Sequence, residues 1–563
     1  MIINAIFAAV TAIVIDVNQS PIKDQRDSTC GPDLGYAGCL TEVSLYNDPF
    51  STWAYGAGIK DTENALRNCG ARFLRQWDAV RTWQYGMTGP WNLAHPKTYW
   101  PLWKKMGIKV LLTLEHYGAW PDKACAKKRT GDIKTVKRVI LEYIRWIIKN
   151  RYQDVVAGLE LGNEPYFGNN PEEYAERWCE IIPEIKKLWP DVKIGMPIAE
   201  YRAGDPDLDA VRKRLGEKKM MAGGGEFEIN RFNQWSGRFV VAMSNQLHNI
   251  SHVIYHFYGG DAPYGCSQSG FGRIKNFEKI YPQIAGKRVW ITEWRERSDE
   301  DGRCHQMFAS TLFKAHYMLS CLTQPNIDGI NLHCLSSLSG GLNISMNCSF
   351  AGEGWRSGFM FQSDPLQGYN FYPDPDVKPG QRRYVMGPAA PLFKIYTDAL
   401  VNHPIIHEHG TLGKQGKNAS CWSSAIFYGS SHAQRSVLNR GGKWKDVPPI
   451  KGNVEWVATL NPGKTSLAML MCNTTVEEQK IPIKLVNAKF AGAAVLTSVS
   501  CEPEFIYHHN IPPETPLWEM QTEKITSDFM DSEGVLTIGP DTIQSVIIPI
   551  KKIYGKKGTD PSV

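Results

Sequence analysis

The chain has 563 residues, 42% of them hydrophobic and 21% charged, with 63 basic against 57 acidic residues and a net charge of +6. That length exceeds one ordinary core and implies a large domain with a smaller one attached. The near-balanced charge without basic runs excludes a nucleic-acid partner, no apolar run is long enough to cross a membrane, and no CxxC or Cys/His ligand spacing marks a metal site.

In chain order, residues 1–34 open with "MIINAIFAAVTAIVIDVNQS", whose stretch from Ala5 to Ile15 is apolar. It is compatible with a signal peptide, but no basic residue precedes it and the first is Lys23. The β-branched "TAIVIDV" reads better as a strand. Residues 35–395 then alternate short apolar runs with amphipathic helices. The runs are "GYAGCL", "ARFLRQ", "IKVLLTL", "VVAGLEL", "VKIGMPI", "HVIYHFY", "RVWITE" and "GINLHCL". Between the third and fourth, Val136, Val139, Ile140, Tyr143, Ile144, Ile147 and Ile148 recur at helical spacing and form one buried stripe. After the fourth, Asn170 followed by Pro171 reads as a cap and a first-turn proline, opening a helix with Tyr174, Trp178, Ile181, Ile182 and Ile185 on one face.

Eight strand–helix units predict an α/β fold, a closed (β/α)8 TIM barrel. No Gly-rich phosphate loop follows the first strand, which argues against a doubly wound sheet. A long Gly-rich, aromatic loop spans about 335–385 and is expected to wall the site. Residues 396–555 change texture: "VEWVATL", "SLAMLMCN", "EQKIPIKLV", "AAVLTSVSC", "GVLTIG" and "QSVIIPI" are separated by turn residues and predict an antiparallel β-sandwich, to which "TAIVIDV" adds a strand. Residues 556–563 are a polar tail.

Thirteen cysteines leave at least one thiol without an intrachain partner; Cys30 with Cys39, and Cys334 with Cys348, are close enough to close small loops. N-x-S/T sequons at Asn18, Asn249, Asn343, Asn347, Asn418 and Asn473, taken with the cysteines, lean towards a secreted or extracellular protein.

In a barrel, reactive groups sit where strands run into their following loops. The fourth strand ends at Asn163 and Glu164, the seventh at Glu293 and Trp294, the sixth supplies His256 and Tyr258, the third Glu115 and His116, the second Trp77 and Asp78, and the eighth His333. A single Glu at a strand end is most often a solvated or salt-bridged residue. Two, on strands four and seven, face each other across the mouth and suit glycoside hydrolysis: one acid protonates the leaving oxygen and the other carboxylate attacks the anomeric carbon. Pro165 is expected to restrict Glu164 to extended backbone and so aim it. Asn163 is placed to donate to a sugar hydroxyl, and Tyr258 to hydrogen-bond Glu293. Glu160 alternates with the apolar residues of its strand and reads as an inward structural partner. Trp77, Trp83, Trp91 and Trp120 suit either sugar stacking or ordinary packing.

At these residues the chain resembles glycoside hydrolase clan A, the retaining (β/α)8 glycosidases. Asn163-Glu164-Pro165 is similar to the clan's acid/base motif and Thr292-Glu293-Trp294 to its nucleophile motif. The nearest texture is that of the α-L-arabinofuranosidase group with an added sandwich. "LGYAGCLTEV" resembles that group's first strand, which implies a substrate-contacting role for Glu42; "GNEPYFG", "HFY" and the closing strands also fit. The resemblance implies that Glu164 serves as acid and then base, that Glu293 is the nucleophile, and that no cofactor is needed. One departure is clear. The group's Arg-Tyr-Pro-Gly-Gly-Asn-like turn after strand two is replaced by "LRQWDAVRTW". β-Xylosidase, β-glucuronidase and endo-β-glucanase specificities therefore stay open beside arabinofuranosidase, as does a non-catalytic carbohydrate binder on the same fold.

Overall fold

The computed structural model describes residues 12–27, 41–43, 72–76, 96–115, 133–167, 169–199, 234–259, 281–296, 308–332, 343–345, 384–386, 390–412, 453–475, 477–501, 520–525, 529–530 and 532–553, with scattered residues between 66 and 83 and between 271 and 279. Two short strands come first, β1 (Ile13–Asp16) and β2 (Lys23–Asp24). Eight strands then close into one parallel barrel: β3 (Thr41–Val43), β4 (Phe73–Gln76), β5 (Lys109–Thr113), β6 (Val156–Glu160), β7 (Ile194–Pro197), β8 (His252–Gly259), β9 (Arg288–Glu296) and β10 (Ile327–Leu332), with β10 pairing β3. This is the α/β barrel expected. Of the first strand, Thr41–Val43 is described; the stretch assigned to it, residues 35–40, lies outside the described residues.

The helices that pack outside the barrel include α1 (Pro96–Met106), α2 (Ile133–Lys149), α3 (Pro171–Leu188), α4 (Gln234–Ala242), α5 (Phe308–Leu322) and α6 (Ala390–Asn402). In α2 the buried residues Val136, Val139, Ile140, Tyr143, Ile144 and Ile147 are those of the apolar stripe. The α3 cap is also as read: the Asn170 side chain accepts from the amides of Glu172 and Glu173 at 3.0 and 3.1 Å, with Pro171 in the first turn. Trp83 packs against Tyr143 and Trp146 of α2, which makes it a packing residue.

A short ribbon, β11 (Asn343–Ser345) with β12 (Tyr384–Met386), is the described part of the long loop. The rest is a sandwich. One sheet runs through β13 (Ile405–Leu412), β14 (Val454–Leu460), β15 (Ser466–Asn473), β18 (Ala494–Ser500), β19 (Gln521–Ile525) and β22 (Thr542–Lys552), with β2 on its edge; the other holds β16 (Gln479–Val486), β20 (Phe529–Met530) and β21 (Glu533–Ile538), with β1 on its edge, and β17 (Ala488–Phe490) pairs β22. Pairing is antiparallel except that β1 runs parallel to β16, Ile13 beside Ile483.

The larger sheet is buried on both faces. In β15, Leu467, Met469 and Met471 face the sandwich core, while Ala468, Leu470 and Cys472 join the barrel core. That is why the strand reads as a continuous apolar run, whereas β16 alternates. The barrel and sandwich are pinned at several points. Tyr396 donates to the Met471 carbonyl at 2.8 Å, His316 pairs with Glu455, and Lys23 donates to the carbonyls of Gln324 and Ile327 at 3.0 Å, just past the end of α5. Asn473 is fully buried, and its amide donates to the carbonyls of Glu477 and Gly539, so this sequon is closed to a glycan. Among the described cysteines, Cys179 and Cys472 are free; the two suggested pairs lie outside the described residues.

Candidate active site

The interior of the barrel is layered. Near the strand starts, Trp290 stacks on His252 with ring centroids 3.7 Å apart. A side chain at Gly158 would meet Trp290 at 2.5 Å, so glycine leaves the room this indole fills. Above it lies a layer of polar residues. Arg75, fully buried on β4, donates to both oxygens of Glu160 at 2.6 and 3.0 Å, to Glu293 Oε1 at 2.8 Å and to Asn163 Oδ1 at 2.7 Å. Thr113 and Thr292 donate to Glu160 at 2.6 and 3.1 Å. Burial opposes the charge on Glu160, but the Arg75 and His256 charges outweigh it and hold the carboxyl at about 2. Glu160 is thus an ionised anchor beneath the mouth.

The mouth itself holds Asn163, Glu164, His256 and Glu293. His256 Nδ1 lies 3.0 Å from Glu164 Oε1 and 3.5 Å from Glu293 Oε2, and its Nε2 lies 3.0 Å from Thr292 Oγ1. Burial alone would lower the imidazole, yet the Glu293 charge, with Glu160 and Glu164, raises it to about 10. A Glu164 oxygen and a Glu293 oxygen lie within 4.8 Å of each other. Asn163 is buried with its carbonyl oxygen held by Arg75, and its amide nitrogen has no partner among the described residues. A guanidinium only donates, so the amide can sit only this way round.

The turn "LGNEPYFG" shows how the sequence builds this. The Tyr174 hydroxyl from α3 donates to the Leu161 carbonyl at 2.9 Å, and a side chain at Gly162 would meet that hydroxyl at 2.2 Å. Pro165–Phe167 form one 3-10 turn, after which Asn169 donates twice to the Pro165 carbonyl at 3.0 Å. Tyr166 donates to Glu164 Oε1 at 3.3 Å. Extended backbone was expected at Glu164. It sits instead at φ +46°, in the left-handed region. Such a conformation before proline costs energy and persists only where the surroundings over-determine it, as the Tyr174, Asn169 and Tyr166 bonds do here.

Other expected substrate contacts divide. Glu115 is buried and paired with Arg177 of α3 at 3.0 Å, with burial pushing its carboxyl up against the pull of that cation. Its backbone oxygen takes the Asn163 amide at 2.8 Å, so it supports the turn and does not meet substrate. Trp294 is 1% exposed and stacks on Tyr317 of α5 at 4.6 Å, with Phe393 of α6 beyond. It lies in the core and offers no face to a sugar. The backbones of Glu42 and Tyr258 lie on barrel strands, Glu42 in register with Arg75 and Tyr258 with Arg295. Their side chains, and residues Trp77, Asp78, Trp91, His116, Trp120 and His333, lie outside the described residues. Arg75, Thr113, Tyr166 and Arg177 carry no role in the sequence reading, and Thr292 enters it only within the nucleophile motif; for Arg75 the signal is a lone cation inside the apolar run "ARFLRQ".

Among the described residues, the one group with metal-ligand spacing is Glu164, His256 and Glu293. The Arg75 guanidinium already occupies Glu293 Oε1, and its charge opposes a cation there.

No protein-family description matches the chain, and no curated protein matches by sequence. Solved structures do match. The α-L-arabinofuranosidase of Thermotoga maritima, in complex with arabinose, superposes with a TM-score of 0.57 at 13% identity, covering 96% of this chain and all of that one. The thermostable α-L-arabinofuranosidase of Thermotoga petrophila RKU-1 gives 0.56 at 12%, covering 95% and 99%. The arabinofuranosidase of Xanthomonas axonopodis pv. citri gives 0.56 at 7%, again covering 95% and 99%. From end to end, barrel and sandwich together, the chain has the fold of these clan A glycosidases.

Proposed function

We propose that the chain is a retaining glycoside hydrolase that works by double displacement. The observation that carries this reading is that one oxygen of Glu164 and one of Glu293 lie within 4.8 Å of each other at the ends of barrel strands four and seven. Inversion needs a gap of about 6.5–9.5 Å to admit water, whereas retention brings the carboxyls to about 5–5.5 Å so that one can attack. Glu293, oriented by Arg75, attacks the anomeric carbon while Glu164 passes its proton to the departing oxygen. Glu164 then removes a proton from water, which attacks the glycosyl ester and frees Glu293. The unpaired Asn163 amide is suited to a substrate hydroxyl, where a hydrogen bond that strengthens in the transition state lowers the barrier.

The substrate is a carbohydrate, and no step here calls on a cofactor. α-L-Arabinofuranosides are the first substrates to test, because these fold neighbours are named α-L-arabinofuranosidases, one of them in complex with arabinose. β-Xylosides, β-glucuronides and β-glucans follow, since "LRQWDAVRTW" replaces the pocket-shaping turn. An extracellular location belongs to the same proposal, with Asn18, exposed in its turn, as a suitable glycan acceptor.

The test is hydrolysis of an aryl-glycoside and polysaccharide panel by wild type and Glu293→Ala. Turnover of one sugar should fall on the order of 10⁴-fold in the variant, and azide should restore it with inverted product. An inverted product from the wild type, or full activity in Glu293→Ala, would sink the mechanism. Binding without turnover would favour the carbohydrate-binding alternative.

A further inference from the structure

His256 touches both candidate reacting carboxylates, and which of its nitrogens carries a fixed proton decides what it can do there. The hydrogen bonds behind it answer that. Glu160 is ionised and takes both Arg75 bonds, so it can only accept. The Thr292 hydroxyl, 3.1 Å away, must donate to it. Having spent its one proton, Thr292 Oγ1 can only accept from His256 Nε2 at 3.0 Å. The Nε2 proton is thereby fixed, and Nδ1 becomes the atom that faces Glu164 and Glu293.

We propose that Glu160 and Thr292 are positioning residues: the chain Glu160–Thr292–His256 keeps the proton on Nε2 and presents Nδ1 to both Glu164 and Glu293. This deepens the glycosidase reading and rests on it for its catalytic meaning. Every charged group around the ring fits. Arg75 on β4 secures Glu160, Glu160 on β6 secures Thr292, and Glu164 and Glu293 face the ring from strands four and seven. A proton on Nδ1 is shared between the two carboxylates. Once Glu293 is esterified and its charge is gone, that proton belongs to Glu164 alone and holds its carboxylate in place for the incoming water.

The experiment uses the full chain with ¹³C- and ¹⁵N-labelled histidine. Of its 14 histidines, His256 is assigned by its absence in His256→Gln. Wild type should show the doubly protonated ring, giving way only at high pH to a single neutral form with the proton on Nε2. Thr292→Val keeps the β-branched shape and removes the hydroxyl; its ring should titrate about one pH unit lower and show both neutral tautomers. Thr292→Ser should restore the wild-type signal. In the hydrolysis assay Thr292→Val should lower kcat roughly 10–100-fold, the size seen for supporting groups behind a reactive centre, with KM little changed and Ser again restoring it. A Thr292→Val ring spectrum superimposable on wild type would overturn the proposal, even if Glu293→Ala confirms the glycosidase. A displaced ring signal in a chain that turns over no sugar would uphold the anchor and remove the enzymatic reading.

Discussion

Two histidines four residues apart on β8 point into the same barrel and behave oppositely. His252 stacks on Trp290, with Nε2 2.8 Å from Asp328 and Nδ1 2.8 Å from Ser251 Oγ. Burial pushes it down, and Asp328 cannot compensate because Arg288, 2.5 Å away, shares that carboxylate while Lys193 adds a second positive field. His256, about 13 Å further along the strand, is equally buried but faces Glu293, Glu160 and Glu164, and is raised to about 10. Burial and residue type are the same; the local surplus of negative charge differs. At the strand starts one carboxylate is divided among several cations, so the histidine is structural. At the strand ends three carboxylates share Arg75 and His256, so the histidine is held charged beside the reacting groups.

The sharpest way to break this contrast is to remove Glu160. Glu160→Gln leaves Arg75 buried with less counter-charge and should cost about 3–5 kcal/mol, read by chemical denaturation. A loss below about 1 kcal/mol would mean the anchor carries little. Asp328→Asn should cost about 2 kcal/mol, because it removes two charge-assisted bonds from the other rim, while leaving glycoside turnover unchanged. Turnover that fell with Asp328→Asn would show that the two rims are coupled.

The pH dependence of stability separates the histidines further. Glu160, lowered from 4.5 to about 2, contributes fully above 4.5 and loses that contribution as pH falls towards 2. His256, raised from 6.5 to about 10, contributes fully below 6.5 and loses it as pH rises towards 10. His252 is shifted down from 6.5, so its contribution is present above 6.5 and lost as pH falls. Thermal unfolding against pH should show a weaker alkaline decline in His256→Gln and a weaker acid decline in His252→Gln. Identical profiles for the two variants would erase the distinction. The smallest effect is expected from Ser251→Ala, about 1 kcal/mol, with no change in kcat.

Much of this is legible in the sequence. Strand identities follow from apolar runs, and Glu164 and Glu293 follow from where those runs end. The α3 cap was readable because Asn and Pro act locally. The errors share a physical origin. Trp294 follows Glu293 directly, so it was placed with its neighbour, yet consecutive strand residues face opposite ways and its ring went to α5 and α6. Glu115 looked like a mouth residue until Arg177, on a helix 62 positions later, claimed it. The register shift between Tyr255 and His256 sets which polar side chains meet across β8 and β9, and no local pattern announces it. Glu164 adopts its left-handed backbone because of Tyr174 and Asn169, partners that a proline rule cannot foresee.

The edge strand β1 has a consequence for how the protein is made. Ile13 leaves the ribosome long before its partner Ile483, which lies 470 residues further along the chain (483 − 13). At roughly 5–20 residues per second, that separation takes about 25–95 seconds to synthesise. Through most of that time the first strand has no sheet to join, and the faces of α5 and α6 that dock on β14, β15 and β22 stay uncovered. Barrel and sandwich cannot mature one after the other: the barrel's outer helices α5 and α6 wait for β14, β15 and β22, and the sandwich strand β1 waits for β16.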